Sequence, residues 1–266
     1  MLIVGEKINT SVPGILRAVE RKDTVFIQSL ARSQVEAGAD ALDVNVGTRI
    51  HTETEDMRWL VETVQSATGV PLSIDSPNPE AIRVGLKEHQ GRAMVNSITL
   101  EKKRVEGILP LLKQFRPNVV ALTMDDEGIP RDAEARYRIS QRLVELLSGA
   151  GIPEDGIYVD PLVRPLSTDS EAGLAALDTI RKIKDSSKKV HIICGLSNIS
   201  FGLPQRGLIN RTFLTMAMAH GLDSVILDPL DRKLISLIKA GEALLGKDKY
   251  CAAYLAAFRA DQFAEE

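Results

Sequence analysis

The chain is poor in the residues that most metal and redox chemistry needs. It has two cysteines, Cys194 and Cys251, and four histidines, His51, His89, His191 and His220. The cysteines form no CxxC pair, which argues against a zinc ribbon or a disulfide framework and suits a reducing cytoplasm. No His-x-His pair is present, so a barrel metallohydrolase lacks its imidazole ligands. Aromatic residues are only 4% of the chain, and there is no apolar run of about 18 residues to cross a bilayer. The N-terminus lacks the basic start and long apolar stretch of a signal peptide. A net charge of −3 gives no basic field for nucleic acid. There is no GxGxxG after the first strand-like segment and no G-x-S-x-G elbow. No Pro/Gly/Ser-rich linker divides the 266 residues, so residues 1–266 read as one domain.

What the chain does contain is alternation. Strands are expected at 2–4, 41–46, 71–75, 93–97, 118–124, 157–160, 190–194 and 224–227. Helical spacing of apolar residues falls between them, as at Met57, Leu60, Val61 and Val64. Helices are expected at about 23–37, 52–67, 77–87, 101–115, 132–148, 170–183, 204–219 and 232–245, with an extra C-terminal helix at 250–263. Strict alternation implies parallel strands joined by right-handed crossovers. Eight such units in a chain of this length predict an α/β fold, a closed (β/α)8 barrel of the TIM type. A doubly wound open sheet is the alternative.

Active sites of such barrels lie at the carboxyl ends of the strands. In order, those ends offer Glu6 with Asn9, Asp43 and Asn45, Asp75, Asn96 and Ser97, Thr123 to Asp125, Asp160, Ser197 and Asn198, and Asp228. Carboxylates and amides dominate, with no histidine or lysine expected at a strand end. Without a barrel lysine, Schiff-base chemistry is not expected. An oxygen-rich magnesium site from Asp43, Asp75 and Asp160 is conceivable, but no bound metal is predicted. Carboxylates accept paired hydrogen bonds from an N–H/NH2 edge, and asparagine matches a donor and an acceptor together. The ring therefore suits a neutral heterocycle such as a 2-amino-4-oxo-pyrimidine. The stretch Val190–Ser200 draws most attention. There a strand runs through Gly195 into Ser197, Asn198 and Ser200; its simplest reading is a strand followed by a turn.

Taken together, several motifs resemble the pterin-binding methyltransferases that act between methyltetrahydrofolate and corrinoid proteins. They are Gly5-Glu6-Lys7-Ile8-Asn9, Ala41-Leu42-Asp43-Val44-Asn45-Val46-Gly47, Ile74-Asp75-Ser76, Met94-Val95-Asn96-Ser97, Asp160-Pro161-Leu162, Gly195-Leu196-Ser197-Asn198 and Leu208-Ile209-Asn210-Arg211-Thr212-Phe213-Leu214. The resemblance covers nearly the whole chain. It implies a homodimeric barrel that binds tetrahydrofolate or 5-methyltetrahydrofolate, with the pterin held by Asp75, Asn96 and Asp160. It places Asn198 beside N5. The chemistry of a tertiary amine leaving group then predicts that Asn198 is the catalytic residue, hydrogen-bonding N5 more strongly as it is protonated in the transition state, with the proton coming from water through Asp43 or Asp75. Glu6, Asp43, Asn45, Ser197 and Arg206 are expected in support. No Asp-x-His-x-x-Gly segment is present, so the corrinoid (cobalamin) is expected on a partner protein. A dihydropteroate synthase-like enzyme stays open because Arg206 and Arg211 follow the seventh strand. A non-catalytic folate- or corrinoid-protein-binding module stays open as well.

Overall fold

The computed structural model describes residues 1–264, and these contain a parallel eight-stranded barrel wrapped by helices. The elements are β1 (Leu2–Asn9), α1 (Pro13–Glu20), α2 (Thr24–Glu36), β2 (Ala41–Asn45), α3 (Glu53–Gln65), β3 (Leu72–Asp75), α4 (Pro79–Glu88), β4 (Met94–Ile98), α5 (Lys102–Phe115), β5 (Asn118–Leu122), α6 (Ala133–Gly149), β6 (Ile157–Asp160), α7 (Ala172–Ser186), β7 (His191–Ile192), α8 (Arg206–His220), β8 (Ser224–Leu227), α9 (Arg232–Leu244) and α10 (Ala252–Arg259). Neighbouring strands pair in the order β7-β6-β5-β4-β3-β2-β1-β8. The circle closes where Gly195 bridges Ile226 and the Ile226 N–H reaches the Cys194 carbonyl at 2.9 Å. The open-sheet alternative is thereby set aside.

Side chains alternate in and out along each strand. The inward set at the amino-terminal half is apolar: Val4, Ala41, Met94, Val120, Tyr158 and Ile193 pack in the barrel's interior. Two residues further along the strands the same face carries Glu6, Asp43, Asn96 and Asp160. The apolar plug therefore ends where the polar ring begins. The outward set, including Ile3, Leu42, Ile74, Val95 and Val159, packs against the helices. Each fully buried side chain of this size stabilises the fold by about 1.5–3 kcal/mol.

Local signals set the helix starts. Asp23 accepts from the Phe26 N–H at 3.0 Å, Asp132 from Ala135 at 2.8 Å, and Asn78 from Glu80 at 3.0 Å. Each satisfies an otherwise orphaned first-turn donor. Several boundaries shift by one to three residues, as where β5 ends at Leu122 and not at Met124, and four differences are larger or change an element. Helix α1 was not expected; it is short, opens on Pro13 without a side-chain cap, and buries Ile15, Ala18 and Val19. Strand β1 continues past Val4 to Asn9. Strand β7 pairs over two residues only, because its partners on β6 are Tyr158 and Val159 alone. The terminal helix is trimmed to Ala252–Arg259.

One ion-pair hub sits at the opposite end of the barrel from the polar ring. Asp223 accepts from Lys184 Nζ at 2.6 Å and from the Ile192 N–H at 2.9 Å, and its carboxylate lies 3.2 Å from His191 Nδ1. Burial opposes ionisation there, but these hydrogen bonds outweigh it and hold the carboxyl down at about 2. His191 also stacks on Tyr158 with ring centres 4.8 Å apart. It is a structural histidine.

Candidate active site

The polar ring forms two hydrogen-bonded groups on adjoining strands. Asn45 Nδ2 donates to Asp75 Oδ2 at 2.6 Å. Ser73 Oγ and Asn96 Nδ2 both donate to Asp43 Oδ1, at 2.7 and 3.2 Å. Asp43 and Ser73 lie one inward step below Asn45 and Asp75, so Asp43 supports the rim from beneath. Burial, reinforced by the charge of Asp75, pushes the Asp43 carboxyl well above its ordinary range. Burial also raises Asp75, against the pull of the Asn45 amide and the Arg104 charge.

Asp160 stands apart from these two groups. Its Oδ1 accepts from the Leu162 N–H at 2.7 Å, and among the described residues Oδ2 has no partner. Burial pushes its carboxyl up to about 7, against the pull of that N–H and of Arg136. Asp75 and Asn96 line a cavity of about 520 Å³ with Arg104, Leu122 and Met124. That is ample for a bicyclic heterocycle. Asp75 Oδ1, Asn96 Oδ1 and Asp160 Oδ2 make no protein hydrogen bond among the described residues, which leaves them as acceptors for a ligand.

The seventh loop is more ordered than a plain turn. Leu196–Ser200 form one 3-10 turn at the rim. Asn198 is exposed on it, and its side chain makes no hydrogen bond to the other predicted site residues. Gly195 matters for space, not for backbone freedom, since its φ of −72° suits any residue. A Cβ there would stand 3.1 Å from Asn198 Nδ2. Arg206 ties this loop down, donating to the Ser197 carbonyl at 2.8 Å and to Ser200 Oγ at 3.0 Å. Arg211 pairs instead with Asp231 at 2.9 Å.

A second cavity, about 340 Å³, opens on the other side of the mouth and is lined by Glu6, Ser197, Arg206, Asn210 and Asp228. Contrary to the expectation of a ring without lysine, Lys7 is there, with its Nζ 2.7 Å from Asp228 Oδ2. The cause is a bulge. Gly5 pairs with Leu42 and Ile8 with Val44, so Glu6 and Lys7 together oppose the single residue Asp43. The Lys7 N–H is taken by Gln34 Oε1 of α2 at 3.1 Å. That amide lies over Gly5, where a Cβ would be 2.5 Å from Oε1.

Sequence reasoning missed two arginines that fix the walls. Arg104 on α5 donates to the carbonyls of Ser76, Pro77 and Ser97, binding the loop after β3 to the end of β4. Arg136 on α6 is fully buried and donates to the carbonyls of Pro130, Pro161 and Leu162, binding the loops after β5 and β6. The signal for Arg136 was its spacing. It shares one helix stripe with Ile139, Ser140, Leu143 and Leu147, where a charge needs a reason. Among the described residues, no three His, Cys, Asp or Glu side chains gather as a metal site.

The sequence profile of the pterin binding enzymes matches residues 9–228. The chain belongs to that family. This pterin-binding enzyme is 39% identical over 261 residues to a methylcorrinoid:tetrahydrofolate methyltransferase of Eubacterium limosum, with 97% of this chain and 96% of the relative covered. It is 30% identical over 239 residues to the methionine synthase of Mycobacterium tuberculosis; the match takes in 85% of this chain and 20% of that longer protein. Its fold is shared with a dihydropteroate synthase of Xanthomonas albilineans solved with 4-aminobenzoic acid, at a TM-score of 0.71 and 20% identity over 93% of this chain and 92% of the other. At that identity the likeness speaks for the barrel alone.

Proposed function

We infer that this pterin-binding enzyme is a methyltransferase that moves a methyl group between N5 of tetrahydrofolate and the cobalt of a corrinoid carried by a partner protein. The observation that carries the reading is the near full-length likeness to the Eubacterium limosum enzyme. The mouth of the barrel fits the chemistry. Asp75, Asn96 and Asp160 supply the unpartnered acceptors that a pterin N–H/NH2 edge needs, with Asp43 and Asn45 orienting them. Asn198 stands at the rim, where it hydrogen-bonds N5 more strongly as charge develops there and so stabilises the transition state beyond the ground state. The same contacts serve both directions of transfer. Residues 1–266 work as one unit.

The partner's cobalt must reach N5 from above the mouth. Five loops present exposed apolar side chains around that opening: Val12, Ile50, Ile129, Phe201 and Leu230, after β1, β2, β5, β7 and β8. Clustered exposed apolar residues mark protein contact surfaces, and this rim is where the corrinoid protein docks. A second copy of the chain covers a different face. There, exposed Leu174 of α7 and Leu208 and Met216 of α8 edge an apolar groove of about 380 Å³. The homodimer forms along that groove. No helix among the described residues is long and apolar enough to cross a membrane, and the enzyme works in the cytoplasm.

The decisive experiment mixes the protein with 5-methyltetrahydrofolate and cob(I)alamin and follows the absorbance of methylcobalamin. Methyl transfer is expected. No transfer in either direction, together with condensation of a pterin pyrophosphate with 4-aminobenzoate, would overturn the reading in favour of a synthase.

A further inference from the structure

Methyl transfer at N5 needs a proton to move, and neither Asn198 nor Ser197 can titrate near neutral pH. The sequence points to water through Asp43 or Asp75. The structure offers a different group. Asp43 is buried, at 4% exposure, with one oxygen already engaged by Ser73 and Asn96. One Asp75 oxygen is held by Asn45, and the residue faces the pterin cavity. Glu6 differs on both counts. Among the described residues its carboxyl has no hydrogen-bond partner. It lines the cavity that Ser197, the neighbour of Asn198, closes from the seventh loop.

The local backbone is built for this placement. The bulge at Glu6 and Lys7 sends one side chain into the cavity and the other to Asp228. Gln34 occupies the bulge's stray N–H, and the missing side chain of Gly5 leaves room for it. A bulge held from both sides in this way aims a strand-end residue.

We infer that Glu6 is the proton acceptor for N5 when a methyl group arrives there, and the proton donor when it leaves. The inference rests on the methyltransferase reading above. In the arriving direction, the N5 lone pair forms the new C–N bond. The carbon–cobalt bond breaks with its electron pair left on cobalt. The N5–H bond breaks, and its proton passes through water in the cavity to a Glu6 carboxylate oxygen. In the leaving direction, the proton returns from Glu6 to N5, cobalt(I) takes the methyl group, and the C–N pair stays on nitrogen. A polar cavity of this size holds such a relay.

The surroundings poise the group for both roles. Charged groups surround it: Asp228 at the end of β8, Asp231 ahead of α9 in its pair with Arg211, Lys7 on its own strand and Arg206 on α8, with the buried Asp43 on β2 close enough to feel its charge. Burial and the Asp228 charge push the Glu6 carboxyl up to about 7, while Lys7 and Arg206 pull it down. A group at that value is half ionised near neutral pH and exchanges a proton readily in either direction.

The test is a single-turnover pH profile with saturating folate, from pH 5.5 to 9, for the wild-type protein, Glu6→Gln and Asp228→Asn. For the wild type, transfer to tetrahydrofolate rises and transfer from methyltetrahydrofolate falls with a midpoint near 7. Glu6→Gln loses that midpoint and slows by about 10²- to 10⁴-fold, while its folate Kd stays within about threefold of wild type by the same reasoning, since Glu6 does not touch the pterin edge. Asp228→Asn removes an anion and releases Lys7, so the midpoint moves down. A carbon-13 titration of the Glu6 carboxyl, which needs no corrinoid, should show the same two values. A Glu6→Gln profile like the wild type's overturns the inference. So does a Glu6 carboxyl that titrates in the ordinary range, or an unmoved midpoint in Asp228→Asn if Glu6→Gln does not fold. Wild-type protein that transfers no methyl group to or from any corrinoid overturns the functional reading and this inference with it.

Discussion

Asp160→Asn isolates the pterin-binding role, because the substitution keeps shape and changes one acceptor. Asp160 is 8% exposed, and its Oδ1 holds the Leu162 N–H at 2.7 Å. An asparagine keeps that bond through its carbonyl oxygen. Its NH2 then faces the pterin N–H where Oδ2 stood, donor against donor. The loss is one charge-assisted hydrogen bond, about 1.5–3 kcal/mol, plus a share of the cost of an unsatisfied buried donor. A total of about 3 kcal/mol corresponds to roughly 150-fold weaker binding. Calorimetric titration with 5-methyltetrahydrofolate at pH 8 reads it directly, and the saturated turnover rate should change far less than the affinity. The wild-type affinity should also weaken as pH falls below 7, because protonation of a carboxyl raised to about 7 removes the acceptor. In the variant this acid limb should be shallower. A Kd within threefold of wild type at pH 8, or a wild-type affinity flat from pH 5.5 to 8, would refute the assignment.

Asn198→Ala should do the converse. Its single-turnover rate at saturating folate should fall by about 10²- to 10³-fold, the loss for one transition-state donor, with Kd little changed; an unaltered rate by stopped-flow absorbance removes Asn198 from the mechanism. Arg136→Met strips donors from three loop carbonyls and should cost about 3 kcal/mol of stability. Thermal unfolding should then fall by roughly 6–12 °C, and folate should bind more weakly as the Asp160 loop loosens. At the far end of the barrel, Asp223 is held at about 2 against an ordinary value of 3.8. Its stabilising contribution is present above pH 4 and is lost as pH falls through 2; urea unfolding between pH 2 and 5 should show a gentler acid limb in Asp223→Asn than in the wild type.

The sequence made legible whatever depends on short-range pattern. Ile157–Asp160 and Ser224–Leu227 stand as strands at the expected residues because each is a compact apolar run with a clear stop. The polar ring was readable because strand ends in a barrel must face one another. What escaped depends on contacts remote in sequence. The bulge at Glu6 and Lys7 is visible only once β1 is laid against β2 and Gln34 of α2. Apart from His191 the Val190–Cys194 run is apolar and buried, yet only two of its residues pair with β6. Arg104 reaches back to carbonyls 7 to 28 residues away, on β4 and in the loop after β3, a span that no local periodicity records. Glycine at 195 reads as a turn former in sequence, whereas in space it makes room for an amide.

The closure of the barrel has a mechanical consequence. From β2 to β6 each strand is laddered to its neighbours over three residues or more, and Arg104 and Arg136 rivet the loops above. Between β6 and β8 the ladder thins to a two-residue strand and one isolated bridge at Gly195. Opening costs least where backbone bonds are fewest. In the proposed methyltransferase the pterin therefore rests on the closely laddered strands, while the Asn198 loop, held by Arg206, lies over the thinly bonded seam. On that reading, any adjustment to an incoming corrin falls on the seam between β6 and β8, not on the strands assigned to the folate.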